Sequence, residues 1–177
     1  MNYRPVSWVH PHLELRPSRI DGFGVFATAP FREGETVFIW GGVLVTWDEY
    51  TAGRISSRSC SAVDEGLYLG KFPVLGDMLD DFANHSCDPN LWLVDSAALV
   101  ARRDIACEEE VTFDYATFYD IDDWVVSENC CCGSPSCRGI VTGADWRLPA
   151  LQERYDGHFA PFLARRIRLL ANERLAR

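Results

Sequence analysis

Four short motifs in a fixed order constrain the fold of this chain more than any other feature of its sequence. A glycine turn, GFG, occupies residues 22–24, and a polar segment, NHSCDPN, occupies residues 84–90. The segment EVTFDY follows at residues 110–115, and four cysteines crowd into CCCGSPSC at residues 130–137. Any one motif is weak alone, since most glycine turns and polar loops are only turns. The prediction of the fold therefore rests on the presence of all four motifs and on their order along the chain.

In this order the motifs resemble those of SET-domain protein-lysine methyltransferases with a cysteine-rich post-SET segment, over residues 22–139. The resemblance implies a mainly β fold, the SET-domain fold of several small sheets, with a knot-like crossing of two segments at the active site. It implies a SET domain at residues 10–128 and a post-SET zinc segment at residues 129–141. We assign residues 142–177 to a C-terminal helical extension that matches no common extension of the family.

Size and composition predict one compact, folded domain with a short appendage. The chain has 177 residues, of which 47% are hydrophobic and 12% aromatic, enough to bury a core. No apolar run approaches the ~20 residues that a membrane span needs. The first residues also lack the apolar stretch of a secretion signal. We therefore expect an intracellular, cytoplasmic protein that enters no membrane and keeps its seven cysteines reduced.

The formal charge of −9 is unevenly distributed. Residues 1–157 carry 12 Lys/Arg against 25 Asp/Glu, net −13, and residues 158–177 carry five Arg against one Glu, net +4. Acidic stretches at residues 77–81, 108–110 and 120–123 fit a basic peptide, and they fit a solvated face equally well. We predict a basic, lysine-bearing protein or peptide as partner and no direct binding to nucleic acid. The oligomeric state is not indicated.

Short strands broken by turns are predicted over the first ~140 residues, because apolar residues there show little helical periodicity. The predicted strands lie at residues 13–16, 24–28, 36–46, 67–75, 91–94 and 98–103, and a helical turn is predicted at residues 47–53.

Two helices are predicted near the C-terminus. Pro149 and Gly157 are placed to begin and end a helix at residues 149–156. A second helix is predicted at residues 160–176. Its apolar stripe consists of Phe159, Leu163, Ile167, Leu170 and Ala171. We favour a helical cap packed on the domain over a basic helix that docks an acidic partner.

The resemblance implies that S-adenosylmethionine binds between the glycine turn and the NHSCDPN segment. Asn84 and His85 would hold this cofactor by hydrogen bonds, and Tyr68 would be a second tyrosine of the pocket. The full set of cofactor-binding residues that the resemblance implies is Gly22, Phe23, Gly24, Tyr68, Asn84, His85 and Tyr115.

The resemblance also implies a lysine channel with Tyr115 as the catalytic residue and Trp40 and Phe113 in its wall. Lysine has a solution pKa of ~10.4, and an apolar channel beside a sulfonium charge lowers it. Tyr115 can orient the neutral amine without acting as a strong base, so we assign loop hydrogen bonds, rather than proton transfer, to Glu110 and Asp114. Phe113 leaves room for dimethyl or trimethyl products, or merely fills the core.

The cysteine cluster predicts a structural zinc ion. Cys130, Cys132 and Cys137 supply three thiolates, one fewer than a closed tetrahedral site needs. In post-SET proteins the cysteine of the central motif supplies the fourth, here Cys87. Cys131 could substitute for a neighbour in this set.

Two departures from the family pattern leave other functions open. Residues 40–43 read WGGV where many relatives have Tyr-x-Gly-Glu, and two acids, Asp80 and Asp81, stand where an arginine is common. One alternative is a catalytically silent SET module that binds a basic peptide. Another is a methyltransferase of a small amine or a modified peptide.

Overall fold

The computed structural model describes residues 2–121 and 125–175, in which short β-strands predominate over helices. The strands are β1 (Trp8–Val9), β2 (Leu13–Pro17), β3 (Phe23–Ala27), β4 (Thr36–Ile39), β5 (Val43–Thr46), β6 (Ser61–Asp64), β7 (Leu67–Gly70), β8 (Leu91–Leu93), β9 (Ala98–Ala101), β10 (Glu110–Val111), β11 (Val125–Ser127) and β12 (Val141–Thr142). The α-helices are α1 (Trp47–Thr51), α2 (Pro149–Arg154) and α3 (Pro161–Leu175). The predicted mainly β fold with C-terminal helices is confirmed. No helix among the described residues is long and apolar enough to span a lipid bilayer.

These strands form four small antiparallel sheets. One sheet has the order β1-β4-β9-β8, a second β10-β3-β2 and a third β5-β7-β6, and β11 pairs with β12. Side chains from the three larger sheets meet in one core, where Val25, Phe38, Leu69 and Leu99 are almost completely buried. Because strands this short are weak alone, the shared core stabilises all three sheets.

The prediction of one strand at residues 36–46 is wrong, because the chain forms two strands there, β4 and β5, which lie in different sheets. Gly42, between them, has φ +142°, a conformation that residues with a side chain rarely adopt. A Cβ on Gly42 would lie 2.2 Å from the Gly70 carbonyl oxygen. Glycine therefore lets the chain leave one sheet and enter the next.

The strand predicted at residues 67–75 ends early, since β7 stops at Gly70. Pro73 has no N–H for a strand ladder and begins a 3₁₀ turn, Pro73–Leu75. The sequence prediction lacks β1, β6, β10, β11 and β12, which are two to four residues long. Strands of that length are too short to show a period of two.

The NHSCDPN and EVTFDY segments lie side by side. His85 and Phe113 form a parallel β-bridge. The Ser86 N–H donates to the Phe113 carbonyl oxygen at 3.2 Å, and the Phe113 N–H donates to the Asn84 carbonyl oxygen at 3.3 Å. These bonds fix the two motifs against each other. The threading of one segment through the other stays a prediction.

The C-terminal helix α3 packs on the domain, as the predicted cap requires. It buries Phe162 and Leu163 completely. Its ion pairs with residues at the end of β6 are Arg165–Asp64 and Arg166–Glu65. These two arginines therefore bind acids of their own domain. Residue 176 of the predicted helix and residues 122 and 123 of the acidic stretch lie outside the described residues, and the predicted domain limits stay predictions.

We predict that Gly42→Ala lowers the free energy of unfolding by at least about 3 kcal/mol, since the new methyl group meets backbone and requires a strained φ. Urea denaturation followed by tryptophan fluorescence measures the change. Gly53→Ala is the matched control, because Gly53 has φ +78° with open space around its Cβ position. Its cost should be only about 1–2 kcal/mol. Equal stabilities of the two variants would contradict the close approach at Gly42.

Candidate active site

The glycine turn leaves no room for a side chain at its last residue. A Cβ on Gly24 would lie 2.1 Å from Glu110 Oε1 and 3.1 Å from Asn84 Nδ2. Gly22 has φ +43°, in the left-handed region that favours glycine. The Phe23 ring between them is 52% exposed. The turn therefore packs closely against the Glu110 side chain of EVTFDY and the Asn84 side chain of NHSCDPN.

The Asn84 amide holds the glycine turn in place. Its Nδ2 donates to the Phe23 carbonyl oxygen at 3.1 Å and to Glu110 Oε1 at 2.8 Å, and lies 3.3 Å from the Asp21 carbonyl oxygen. Glu110 also accepts from Ser18 Oγ at 2.9 Å. The prediction that Glu110 makes loop hydrogen bonds is confirmed.

His85 is a neutral, buried imidazole beside the tyrosine. Its Nδ1 accepts from the Tyr115 N–H at 3.3 Å, and its Nε2 lies 3.3 Å from Cys87 Sγ. Burial lowers the pKa of His85 to about 4, although the Asp114 carboxylate opposes that effect. His85 therefore orients the backbone of Tyr115 and does not carry charge near neutral pH.

Tyr115 donates its hydroxyl hydrogen to the Ala83 carbonyl oxygen at 3.0 Å. Burial, followed by the nearby Asp21 carboxylate, raises the pKa of Tyr115 above its usual range. The phenol thus stays protonated, and its oxygen keeps lone pairs for a further contact. Such a group can orient a ligand but is a poor base.

Two cavities meet the Tyr115 side chain. The first, which we call the loop cavity, has a volume of about 400 Å³. Its described lining residues are Ile20, Asp21, Asn84, His85, Tyr115, Ser127, Asn129, Cys130 and Cys131. Its volume and its mixture of polar and apolar walls are typical of small-molecule sites.

The second cavity, which we call the aromatic cavity, is narrow, at about 70 Å³. Its aromatic lining residues are Trp40, Phe113, Tyr115, Phe118 and Tyr119. The Trp40 ring centroid lies 5.6 Å from that of Phe113 and 5.0 Å from that of Phe118. The structure thus brings the two predicted channel residues together beside Tyr115.

Sequence reasoning missed Tyr119, and the cofactor-binding role of Tyr68 stays a prediction. Tyr119 lines the aromatic cavity and donates its hydroxyl hydrogen to the Cys60 carbonyl oxygen at 3.2 Å. Tyr68 lies outside the described walls of both cavities, and its ring stacks on Tyr50 with centroids 6.0 Å apart. The run of aromatic residues in FDYATFY, residues 113–119, could have drawn attention to Tyr119.

A buried ion pair ties the tyrosine segment to the cysteine segment. Arg138 Nη1 and Nη2 donate to the two oxygens of Asp114 at 2.7 and 2.8 Å, and Arg138 Nε donates to Asp145 at 2.8 Å. Asp114 also accepts from the Ala116 N–H at 3.0 Å, which caps the turn that begins at Tyr115. The loop role predicted for Asp114 is confirmed, whereas no sequence motif pointed to Arg138.

Four cysteines converge as the resemblance implies. The Sγ atoms of Cys87, Cys130, Cys132 and Cys137 all lie within 4.8 Å of one another. Four thiolates at this separation fit a closed tetrahedral zinc site. Cys131 is outside this group, and its Sγ lies 3.4 Å from the Asn129 carbonyl oxygen. The loop cavity therefore shares one wall, at Cys130, with the cysteine cluster.

The family model of the SET domain matches residues 22–116, more than half of the chain. The chain therefore belongs to the SET domain family. The matched region contains the glycine turn, the NHSCDPN segment, Phe113 and Tyr115, which together line or support the two cavities.

Two relatives are named histone-lysine N-methyltransferases. The chain is 33% identical to ATX2 of Arabidopsis thaliana over 149 residues, which cover 75% of this chain and 13% of the relative. It is 29% identical to ash1 of Drosophila melanogaster over 165 residues, which cover 84% of this chain and 7% of the relative. The chain thus spans a small part of the length of these relatives.

Solved structures share the fold. The methyltransferase domain of human SETMAR superposes with a TM-score of 0.58 at 20% identity, over 75% of this chain and 58% of that chain. KRYPTONITE, solved in complex with mCHG DNA and SAH, gives a TM-score of 0.56 at 23% identity, over 72% of this chain and 28% of that chain. The likeness confirms the SET-domain fold.

We predict that the purified protein holds about one zinc ion, and that Cys132→Ser removes most of it and lowers the thermal unfolding midpoint. The reason is the loss of one of four thiolate ligands. Elemental mass spectrometry and calorimetry measure both quantities. Cys131→Ser is the matched control, because this neighbouring thiol lies outside the cluster and its loss should leave zinc content unchanged. Undiminished zinc in Cys132→Ser would contradict the ligand set.

Proposed function

We propose that this chain transfers a methyl group from S-adenosylmethionine to the side-chain amine of lysine in a protein substrate. One observation carries the proposal: Tyr115 lines both the loop cavity and the aromatic cavity. A donor in one cavity and an amine in the other would therefore meet at its hydroxyl group. Methyl transfer needs such an approach, because the two reacting atoms must be held close and in line.

The walls of the aromatic cavity suit an amine nucleophile. The Trp40, Phe113 and Phe118 rings exclude water, which disfavours the ammonium form of lysine. The Tyr115 oxygen can accept a hydrogen bond from the amine while its hydrogen is held by the Ala83 carbonyl group. The residues thus supply desolvation and positioning.

The loop cavity suits the cofactor. Its walls contain Asp21, just before the glycine turn, together with the Asn84 amide and the neutral His85 ring, and these groups can bind polar parts of a nucleoside and an amino acid. When bound, S-adenosylmethionine supplies an activated methyl group that the amine nitrogen takes up as its proton leaves to solvent, with S-adenosylhomocysteine as the other product. A zinc ion on Cys87, Cys130, Cys132 and Cys137 would fix the wall at Cys130.

We further propose that the substrate is basic. The support is the formal charge of −9, which attracts basic chains and repels the phosphates of nucleic acid. All seven cysteines are free thiols, which fits an intracellular, cytoplasmic setting. The relatives named as histone-lysine methyltransferases make histones a reasonable first substrate to test.

We predict that the full chain transfers label from radioactive S-adenosylmethionine to lysine in core histones or lysate proteins, and that Tyr115→Phe lowers the rate at least about 100-fold. The variant loses the oxygen that positions the amine but keeps the ring. Tyr50→Phe is the matched control, since Tyr50 lies outside both cavities, and it should retain activity. Labelling of lysine by Tyr115→Phe at the wild-type rate would contradict the assigned role.

The same assay separates the alternative functions. No binding of S-adenosylmethionine, measured by calorimetry, would favour a catalytically silent SET module that binds a basic peptide. Labelling of free amines without labelling of proteins would favour a methyltransferase of a small amine or a modified peptide.

The degree of methylation depends on the space beside Phe113. We propose dimethyl or trimethyl products, because phenylalanine leaves more room near the amine than tyrosine does. Phe113→Tyr should shift the products toward monomethyl-lysine, which mass spectrometry of the labelled peptide measures. Phe118→Tyr is the control for an added hydroxyl group elsewhere in the same cavity. An unchanged product distribution in Phe113→Tyr would contradict the assignment.

A further inference from the structure

Three charged side chains are buried together at the aromatic cavity. The side chains of Lys71, Asp80 and Asp81 are 1%, 5% and 2% exposed, respectively. All three residues line the cavity that holds Tyr115. Burying charge is unfavourable unless each charge has a partner, so the pairing within this cluster determines what it can bind.

The pairing leaves one carboxylate in excess. Lys71 Nζ donates to Asp81 Oδ2 at 2.5 Å, and the Met78 N–H donates to the same oxygen at 2.7 Å. Burial raises the pKa of Asp81, and these hydrogen bonds oppose that rise. One lysine thus faces two acids, and its hydrogen bond goes to Asp81.

Asp80 carries a carboxylate oxygen that lacks a hydrogen bond. Its Oδ1 atom is buried and has no hydrogen-bond partner within residues 2–121 and 125–175. Its ion pair with Lys71 Nζ spans 3.6 Å, which is too long for a hydrogen bond. A buried carboxylate oxygen in this state requires a donor, and the residue that carries it, Asp80, lines the aromatic cavity.

We propose that the Asp80 carboxylate accepts a hydrogen bond from the ammonium or amine group of the substrate side chain, and so selects a cationic side chain for the aromatic cavity. This inference rests on the proposed function for the identity of the ligand as lysine. The aromatic rings surround the alkyl part of the side chain, and Asp80 binds its nitrogen. Asp80 is thereby a specificity-determining residue.

The other titratable groups facing the cavity do not supply this acceptor. They are Arg58, Cys60, Lys71, Asp81, Tyr115 and Tyr119. Arg58 and Lys71 are donors, and Asp81 Oδ2 already accepts two hydrogen bonds. Tyr115 and Tyr119 donate their hydroxyl hydrogens to backbone carbonyl groups. Asp80 Oδ1 is the charged acceptor of the described lining that is buried without a hydrogen-bond partner.

The test uses two side-chain mimics, n-butylammonium chloride and 1-butanol, added to the wild-type chain of 177 residues. NMR titration follows the ring signals of Tyr115 and Tyr119. We expect n-butylammonium to bind at least about tenfold more tightly, because it forms a charge-assisted hydrogen bond that the alcohol lacks. Equal affinities, or no binding of either compound, would overturn the proposal.

Asp80→Asn should abolish that tenfold preference. The variant has nearly the same volume, and its thermal midpoint shows whether it folds. Asp156→Asn is the matched control, because it removes the same charge from an exposed turn after α2, and it should keep the preference. Retention of the preference in Asp80→Asn would overturn the proposal, and the wild-type titration remains decisive if Asp80→Asn does not fold.

Once labelling has identified a peptide substrate, the pH dependence of kcat gives a further test. A carboxylate favours the ammonium form of the substrate amine. Asp80→Asn should therefore lower the pKa of that amine and shift the rising limb of the plot of log kcat against pH to lower pH. It should also raise KM about tenfold. If the role of Asp80 were only structural, Asp80→Asn would leave the rising limb at the same pH. Labelling without an ammonium preference would refute only the Asp80 inference, whereas an ammonium preference without labelling would refute only the methyltransferase function.

Discussion

The buried ion pair between Asp114 and Arg138 joins the parts of the chain that form the site. Asp114 immediately precedes Tyr115 and caps its turn, and it also accepts from the Tyr155 hydroxyl group at 3.1 Å. The Arg138 N–H lies 3.3 Å from Cys87 Sγ, so the same residue contacts the cysteine cluster. Breaking such a pair leaves an uncompensated buried charge, at a cost of about 3–5 kcal/mol. The pair therefore sets where Tyr115 lies relative to the four-cysteine cluster.

Much of this arrangement could be predicted, because it depends on residues that are close together in the sequence. The NHSCDPN and EVTFDY motifs are short and contiguous, so recognising them places Asn84, His85, Phe113 and Tyr115 together without any knowledge of the sheets. The cysteine spacing likewise indicated a metal site. The helix begun by Pro149 needed only the preference of proline for the first helical turn.

The remaining features depend on contacts between distant residues, which leave no local pattern. The division of residues 36–46 into two strands follows from the approach of Gly42 to Gly70, 28 positions away. The resemblance implied that Tyr68 is a second tyrosine of the cofactor pocket. Its ring packs beside Tyr50, because β7 lies between β5 and β6. Arg138 belongs to none of the four motifs, and its bidentate bond to Asp114 follows only from the fold.

Asp80 and Asp81 stand where an arginine is common in the family, and their effect on a bound amine opposes that of the aromatic walls. Lys71 reduces the effect of these two acids. Aromatic walls favour a neutral amine, whereas carboxylates favour the ammonium form. At 4 Å and an effective dielectric constant of 20, one charge pair contributes about 4 kcal/mol, equivalent to roughly three pKa units. In the proposed reaction, two unpaired carboxylates would therefore hold the lysine side chain in its unreactive ammonium form. Because Lys71 pairs with Asp81, the cluster presents a single negative charge, which can attract the cation without preventing its deprotonation once a sulfonium charge lies nearby.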